Sequence, residues 1–217
     1  MFFSKLINFI FSVYFNFRYM PIKQAIYLPV WITTKVRVNH LKRNQIIIKK
    51  MKFKTIQLGV DGSPGMQGAS TVLCLCSNSK LIFEGSAIIA IGTVLRCDYD
   101  AIIRFGNNFY CNCNCFLRST NQISIGKDCS FGWNVILNTS DGHCIWHDNQ
   151  LIPKDGPINI GNHVWITPNS SFVKNSGVND GSIVAQGSVV TKYFEETHCL
   201  IGGIPAKVIS RNIEWRA

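Results

Sequence analysis

The stretch NVILNTSDGHCIWHDNQ, residues 134–150, concentrates the groups best able to move a proton. An imidazole titrates near neutrality, so it can take the proton of a hydroxyl and give it up again within one turnover. His143 is the candidate base, one residue past Gly142 and two past Asp141. His147 is its competitor, because extended backbone would put it on the same side as His143. Asp141 has two readings of equal weight: a carboxylate that orients an imidazole, or a polar turn residue before a glycine. Of the other three histidines, His40 and His198 have no motif around them.

Such a group needs a rigid frame, and the frame is written as a period of six. Ile160, Ile166, Phe172, Val178, Val184 and Val190 are bulky and apolar. Four places after each of the first five come Val164, Ser170, Ser176, Ser182 and Ser188, nearly all small. The rhythm recurs at Phe83, Ile89 and Leu95, at Phe105, Cys111 and Leu117, and at Ile125 and Phe131, with slips of register between blocks. A period of six fits neither an α-helix nor a hairpin meander. It suits a solenoid whose hexads each form one flat side, with the bulky residue inward and the small one in a tight turn. His143 falls in 138–157, a polar insertion that interrupts this rhythm, and loops braced by a rigid scaffold are where catalytic groups concentrate. His163 takes an outward place in a hexad, which suits a solvated or cleft-lining role. Trp165 precedes the inward Ile166, so alternation points it outward, either as a platform for a ligand or as packing against a neighbouring subunit.

The run IGNHVWITPNSSFVKNSGVNDGSIVAQGSVVTK at 160–192, followed by GGIPAKVI at 202–209, resembles the bacterial hexapeptide-repeat acyltransferases. The D-G-H-x-I loop before I-G-N-H-V-W-I is most similar to the polysaccharide and capsule O-acetyltransferase branch. The similarity covers roughly residues 80–210. It implies a mainly β fold, a left-handed parallel β-helix, a handedness that periodicity cannot supply. It further implies a homotrimer with active sites between adjacent subunits, acetyl-CoA as co-substrate, no metal, and a carbohydrate acceptor. The family's base corresponds to His143, and its CoA-contacting tryptophan to Trp165. Ala185, Gly187 and Ser188 stand where the family often has Gly-Ala-Gly-Ser, and Gly203 and Lys207 lie in the GGIPAK segment. Lys192 and Lys207 match positions near the CoA tail, with Arg211 close by, and as cations they suit phosphate. Trp146 and His147 are the candidate acceptor contacts on the loop, with Trp133 and Tyr110 further candidates for stacking on a sugar. The chain departs from the family at Thr167-Pro168, where a second glycine is common.

Composition divides the chain. Of 22 Lys and Arg, eleven lie in residues 1–54, and the first acidic residue is Asp61. We therefore read 1–54 as a basic, aromatic-rich extension, 55–210 as the β-helix, and 211–217 as a tail. Phe2, Leu6, Phe9, Ile10, Val13 and Phe17 recur at helical spacing, giving a helix that ends near Pro21. Polar interruptions exclude a transmembrane span, and no small-residue cleavage site follows. Three readings of the extension stand: contact with an anionic membrane, guidance of an acidic polysaccharide, or packing of the apolar face on the β-helix or on trimer partners with the charges merely solvated. No recognition motif supports nucleic acid. Of nine cysteines, Cys74, Cys76, Cys97, Cys111, Cys113, Cys115 and Cys129 lie in strand-like stretches and read as small buried hydrophobes, which suits a reducing, cytoplasmic compartment. Cys111, Cys113 and Cys115 could share one strand face, but zinc sites use other spacings. The rival functions are an amino-sugar N-acetyltransferase, a zinc carbonic anhydrase of the same general shape, which lacks a third suitable histidine here, and a non-catalytic scaffold or lectin.

Overall fold

The computed structural model describes residues 2–66 and 68–216; Met1, Gln67, Ala217 and the side chain of Phe2 lie outside it. The chain opens with α1 (Phe2–Tyr19) and, just past Pro21, the short α2 (Ile22–Ala25). Everything after it is a coiled stack of short strands. Coil 1 comprises β1 (Val30–Ile32), β2 (Val36–Asn39) and β3 (Ile46–Ile48), and coil 2 comprises β4 (Ile56–Val60), β5 (Thr71–Leu75) and β6 (Lys80–Phe83). Coil 3 is β7 (Ala87–Ala90), β8 (Val94–Cys97) and β9 (Ile102–Phe105), and coil 4 is β10 (Phe109–Cys111), β11 (Phe116–Ser119) and β12 (Gln122–Ile125). Coil 5 has β13 (Ser130–Phe131) and β14 (Ile136–Asn138), then a projecting hairpin of β15 (Ile145–His147) and β16 (Gln150–Ile152), then β17 (Ile158–Ile160). Coil 6 is β18 (Trp165–Ile166), β19 (Ser171–Phe172) and β20 (Ser176–Val178). Coil 7 is β21 (Ile183–Val184), β22 (Val189–Val190) and β23 (Tyr193–Phe194), capped by β24 (Leu200–Gly203) and an antiparallel β25 (Ala206–Ser210).

First, second and third strands of successive coils pair in parallel, giving three sheets, A, B and C, that close a triangular prism. Register stacks the inward residues in columns. Sheet A aligns Ile89, Cys111, Phe131, Ile166, Val184 and Ile201. Sheet B aligns Leu95, Leu117, Leu137, Phe172 and Val190, and sheet C aligns Phe83, Phe105, Ile125, Ile160, Val178 and Phe194. All are buried, including every bulky hexad position expected from the sequence. The small residues Val164, Ser170, Ser176, Ser182 and Ser188 are buried at corners, and Ser176 and Ser188 return their hydroxyls to carbonyls three residues back. Corners also demand left-handed backbone, and Asn108, Asp128, Asn134, His163, Asn169, Asn175 and His198 supply it. Asn and Asp tolerate that region best among non-glycine residues. His163 and His198 are thus corner residues by position.

The register slips have one address. From coil 3 to coil 6, inward residues stand six apart at the A-to-B and C-to-A corners. At the B-to-C corner ten residues separate Leu95 from Phe105, eight separate Leu117 from Ile125, and twenty-three separate Leu137 from Ile160.

Two expectations are corrected. The β-helix begins at Val30, well before residue 55, because β1 to β3 pair in register with β4 to β6. Of the expected apolar face of α1, among the described residues only Phe9 approaches the β-helix, 6.4 Å from the Trp31 ring, while Leu6, Ile10 and Phe17 stay exposed; the side that docks is a polar row flanked by the buried Phe15. Asn8 Oδ1 accepts from Thr34 N–H at 3.1 Å, Ser12 Oγ from Ile32 N–H at 2.9 Å, and Asn16 Oδ1 from Val30 N–H at 3.1 Å. Asn16 Nδ2 also donates to the Val30 carbonyl at 2.6 Å. Four helical residues advance about 6 Å and two strand residues about 6.6 Å, so a polar row at i, i+4, i+8 matches alternate groups of an edge strand. Phe15, Met20 and Ala25 plug the end of the core beside this row.

Candidate active site

The insertion leaves the prism at the B-to-C corner of coil 5, and short polar contacts pin its foot. Ser140 and Asp155 bridge across the base. Thr120 Oγ1 donates to Asp155 Oδ1 at 2.9 Å and sits 3.0 Å from Thr139 Oγ1. Burial pushes the Asp155 carboxyl up, but hydrogen bonds from Ser140 and Thr120 outweigh it and hold it below its ordinary value. From coil 6, Lys174 reaches back to the loop, pairing with the Asp141 carboxylate and donating to the Pro153 carbonyl at 2.5 Å. Its side chain retains only 14% exposure, so this is a sequestered pair rather than a surface contact. Asn138, at the foot, donates to the Ser140 carbonyl, while its Oδ1 is closed off from solvent with no donor.

Above that foot the loop stands free. Its tip, Asp148-Asn149, has positive φ at both residues, the two-residue hairpin turn that suits strand twist. His143, Trp146 and His147 are exposed, and His147 Nδ1 lies 3.2 Å from its neighbour Asp148. No hydrogen bond joins Asp141 to His143 among the described residues; Asp141 serves Lys174. Lys192, in the turn between β22 and β23, belongs to this same corner two coils on. Its Nζ lies 5.5 Å from the Phe194 ring.

The remaining expected ligand-binding residues gather elsewhere, along the A-to-B corner. A groove of about 420 Å³ runs there, lined among others by Tyr110, Trp133, Trp165, Thr167, Pro168 and Gln186. Trp165 is on sheet A with 38% of its surface open, as alternation required. At the C-terminal end of the corner, Ser188 Oγ donates to the Ala185 carbonyl at 2.5 Å and accepts from Gly203 N–H at 3.2 Å. Gly187 turns with φ +73°, and a Cβ placed there would meet nothing within 4 Å, so the corner is both tight and open above. Lys207, exposed on β25, lies across from Gly202. Arg211 is engaged instead with Glu196, at 2.6 and 3.1 Å.

Two features escaped the sequence reading. Lys174 is a turn lysine with no motif around it. The tail returns to the C-to-A corner beside Trp165: Trp215 stacks on His163 at 4.2 Å, donates Nε1–H to the His163 carbonyl at 2.9 Å, and lies 6.0 Å from Trp165. The three-thiol face is also corrected. Cys111 ends β10, Asn114 turns with φ +61°, and Cys113 packs apart with Ala90 and Ile91. Among the described residues, no three His, Cys, Asp or Glu are grouped to hold a metal ion.

His143 and Trp165 therefore occupy different parts of the prism, one at the corner between sheets B and C, the other on sheet A opposite. The same architecture recurs in known proteins. A 24.8 kDa protein of the Klebsiella pneumoniae cps region is 31% identical over 184 residues, 84% of this chain and 79% of that one. The chain belongs to the hexapeptide-repeat acyltransferase family, and its fold is the left-handed parallel β-helix. Galactoside O-acetyltransferase of Escherichia coli K12 is 36% identical over 118 residues, covering 51% of this chain and about half, 55%, of that enzyme. Among solved structures, the polySia-specific acetyltransferase NeuO superposes with a TM-score of 0.54 at 24% identity, over 84% of this chain and 82% of that one. No family profile matches the chain.

Proposed function

We propose that the protein transfers the acetyl group of acetyl-CoA to a hydroxyl of a bacterial surface-polysaccharide sugar, with His143 as general base. The observation that carries this reading is the division of the site: the exposed histidine loop on one corner, the aromatic groove and the Ser188–Gly203 end on another. A homotrimer with parallel axes would set the loop corner of one copy against the groove corner of the next, and each cleft would then hold both halves. Trp165, Ala185, Gly187, Ser188, Gly203 and Lys207 would hold the thioester along the groove, and Lys192 would meet it from the loop corner. Trp146 and His147 would face the acceptor.

The imidazole of His143 takes the hydroxyl proton as the oxygen attacks the thioester carbonyl, forming a tetrahedral oxyanion. Collapse breaks the C–S bond, and the imidazolium returns its proton to the departing thiolate. The Lys174–Asp141 pair braces the loop, so the gain comes from placing base and thioester in line. The relatives support the substrate class: the Escherichia coli protein is named for galactosides, NeuO for polysialic acid, and the Klebsiella protein lies in a capsule region.

The test is incubation with acetyl-CoA and a panel of bacterial oligosaccharides, read by mass spectrometry, beside His143→Ala. Acetylated product from the wild type and none from the folded variant is the expected result. Full activity in His143→Ala transfers the role to His147, and a product resistant to mild base identifies an amide instead of an ester. Failure to bind acetyl-CoA would end the reading.

A further inference from the structure

Helix α1 is built inside out. A surface helix ordinarily buries its apolar stripe and turns polar residues to water. Here Asn8, Ser12 and Asn16 face the protein, and the opposite face carries Phe3, Leu6, Ile10, Tyr14 and Phe17. These are open to solvent, with Phe3 at 74%, Ile10 at 58% and Tyr14 at 64% exposure. Past Pro21 the apolar surface continues through Ile22, Ile26 and Tyr27, all exposed. A contiguous apolar surface of this kind marks a docking site. Its direction is fixed, because α1 occupies the place of one more rung on sheet A. The outward face therefore looks along the prism axis, away from coils 5 to 7.

Charge selects the occupant. Lys5, Arg18 and Lys23 sit on the two helices, and Lys50, Lys52 and Lys54 surround the exposed Phe53 in the turn after β3. No acidic residue precedes Asp61, and of the eleven cations in 1–54 only Lys49 forms a salt bridge, with Glu84, among the described residues. A second copy docked end to end would set the cations around this face against their own counterparts, with no carboxylate before Asp61 to pair them. None of the described helices is long and apolar enough to cross a membrane. We propose that this end of the prism docks on an anionic lipid bilayer, with α1 lying in the interfacial plane. Phenylalanine and isoleucine enter the headgroup–acyl boundary, and the surrounding lysines meet the anionic heads. The histidine loop is four coil spacings above coil 1, and with the thickness of the helix added it stands about 30 Å above the docked face.

The experiment is co-sedimentation of the full chain with vesicles of phosphatidylcholine alone or doped with phosphatidylglycerol. Binding to the doped vesicles, falling as salt is raised and absent from phosphatidylcholine alone, is expected. Ile10→Glu with Tyr14→Glu, both solvent-facing, should keep the unfolding temperature and weaken partitioning by about a hundredfold. Lys23→Glu with Lys50→Glu, which leaves the apolar face untouched, should weaken it by at least about thirtyfold. Wild-type protein remaining in solution beside doped vesicles would overturn the proposal, as would unchanged binding by a folded Ile10/Tyr14 variant. A wild-type particle that falls to a smaller mass in that variant would give the face to a second copy, and would equally overturn it.

Discussion

If loop and groove come from different copies, two impaired variants should rescue each other. His143→Ala removes the base, a loss of about 10²–10⁴-fold. Trp165→Ala removes a half-exposed aromatic platform, a loss of about tenfold at acetyl-CoA below its KM, since an aromatic contact contributes about 0.5–1.5 kcal/mol beyond its area. In a closed ring assembled at random from equal amounts of the two, a cleft takes its loop from the Trp165 variant and its groove from the His143 variant roughly one time in four. The mixture should then show about a quarter of wild-type activity per cleft. If one chain supplied both groups, every cleft would carry one defect or the other, and the mixture would give the mean of its parents, about a twentieth. The assay is co-expression of differently tagged variants, with product counted by mass spectrometry. Activity at the parental mean, with mixed rings confirmed through both tags, would refute the division of the site.

Four further outcomes follow from particular contacts. Lys174→Met frees Asp141 and the Pro153 carbonyl, so kcat should fall by about tenfold through loss of loop positioning, with little change in unfolding temperature; an unchanged kcat would show that the loop holds itself. Asn16→Leu strands the amide and carbonyl of Val30, about 1–3 kcal/mol each; calorimetry should record a fall of roughly 4–24 °C, at about 2–4 °C per kcal/mol for a chain of this size. Asp155 is held below its ordinary pKa, so it stabilises the fold above the unfolded carboxylate value near 4, and that contribution disappears as pH falls through the lower folded value; Asp155→Asn should flatten the acid limb of unfolding temperature against pH below about 5. Burial raises the thiols of Cys97 and Cys129, the latter to about 12, whereas Cys144 is exposed; a thiol reagent on native protein should react first at Cys144, and Cys144→Ser should remove that fast phase.

The hexads were legible because two physical demands repeat in every side of the prism: one bulky residue to fill the core, one small residue to pass the corner. From Phe83 to Val190 that pattern predicts the inward columns residue by residue, with one omission, Leu137, the last inward residue before the inserted loop. Coil 1 hid because its side lengths are irregular, with ten residues from Val38 to Ile48, and because its outward positions carry Lys35 and Arg37, which read as an extension. The hairpin of Ile145–Ile152 was hidden inside what read only as a polar insertion, although Asp148-Asn149 at its tip are residues that tolerate positive φ. Lys174 was hidden too, since its partner Asp141 lies 33 residues away and only stacking of coils brings them together. The return of Trp215 to His163 had no periodic signal at all. Alternation failed at Cys111 to Cys115 because a left-handed turn at Asn114 ends the strand there.

A solenoid has no natural length; each added rung leaves a fresh row of amides and carbonyls on which another can form. This chain ends sheet A with two unlike stops: a row of helix side chains at β1 and a reversal of direction at β24. Neither offers the parallel register of the repeat, so a strand from another molecule finds no template there. The size of the particle is thus set by its terminators, and a chain trimmed to begin at Val30 would bare one edge on which a strand of another copy could pair, while the reversal at β24 would still close the other end.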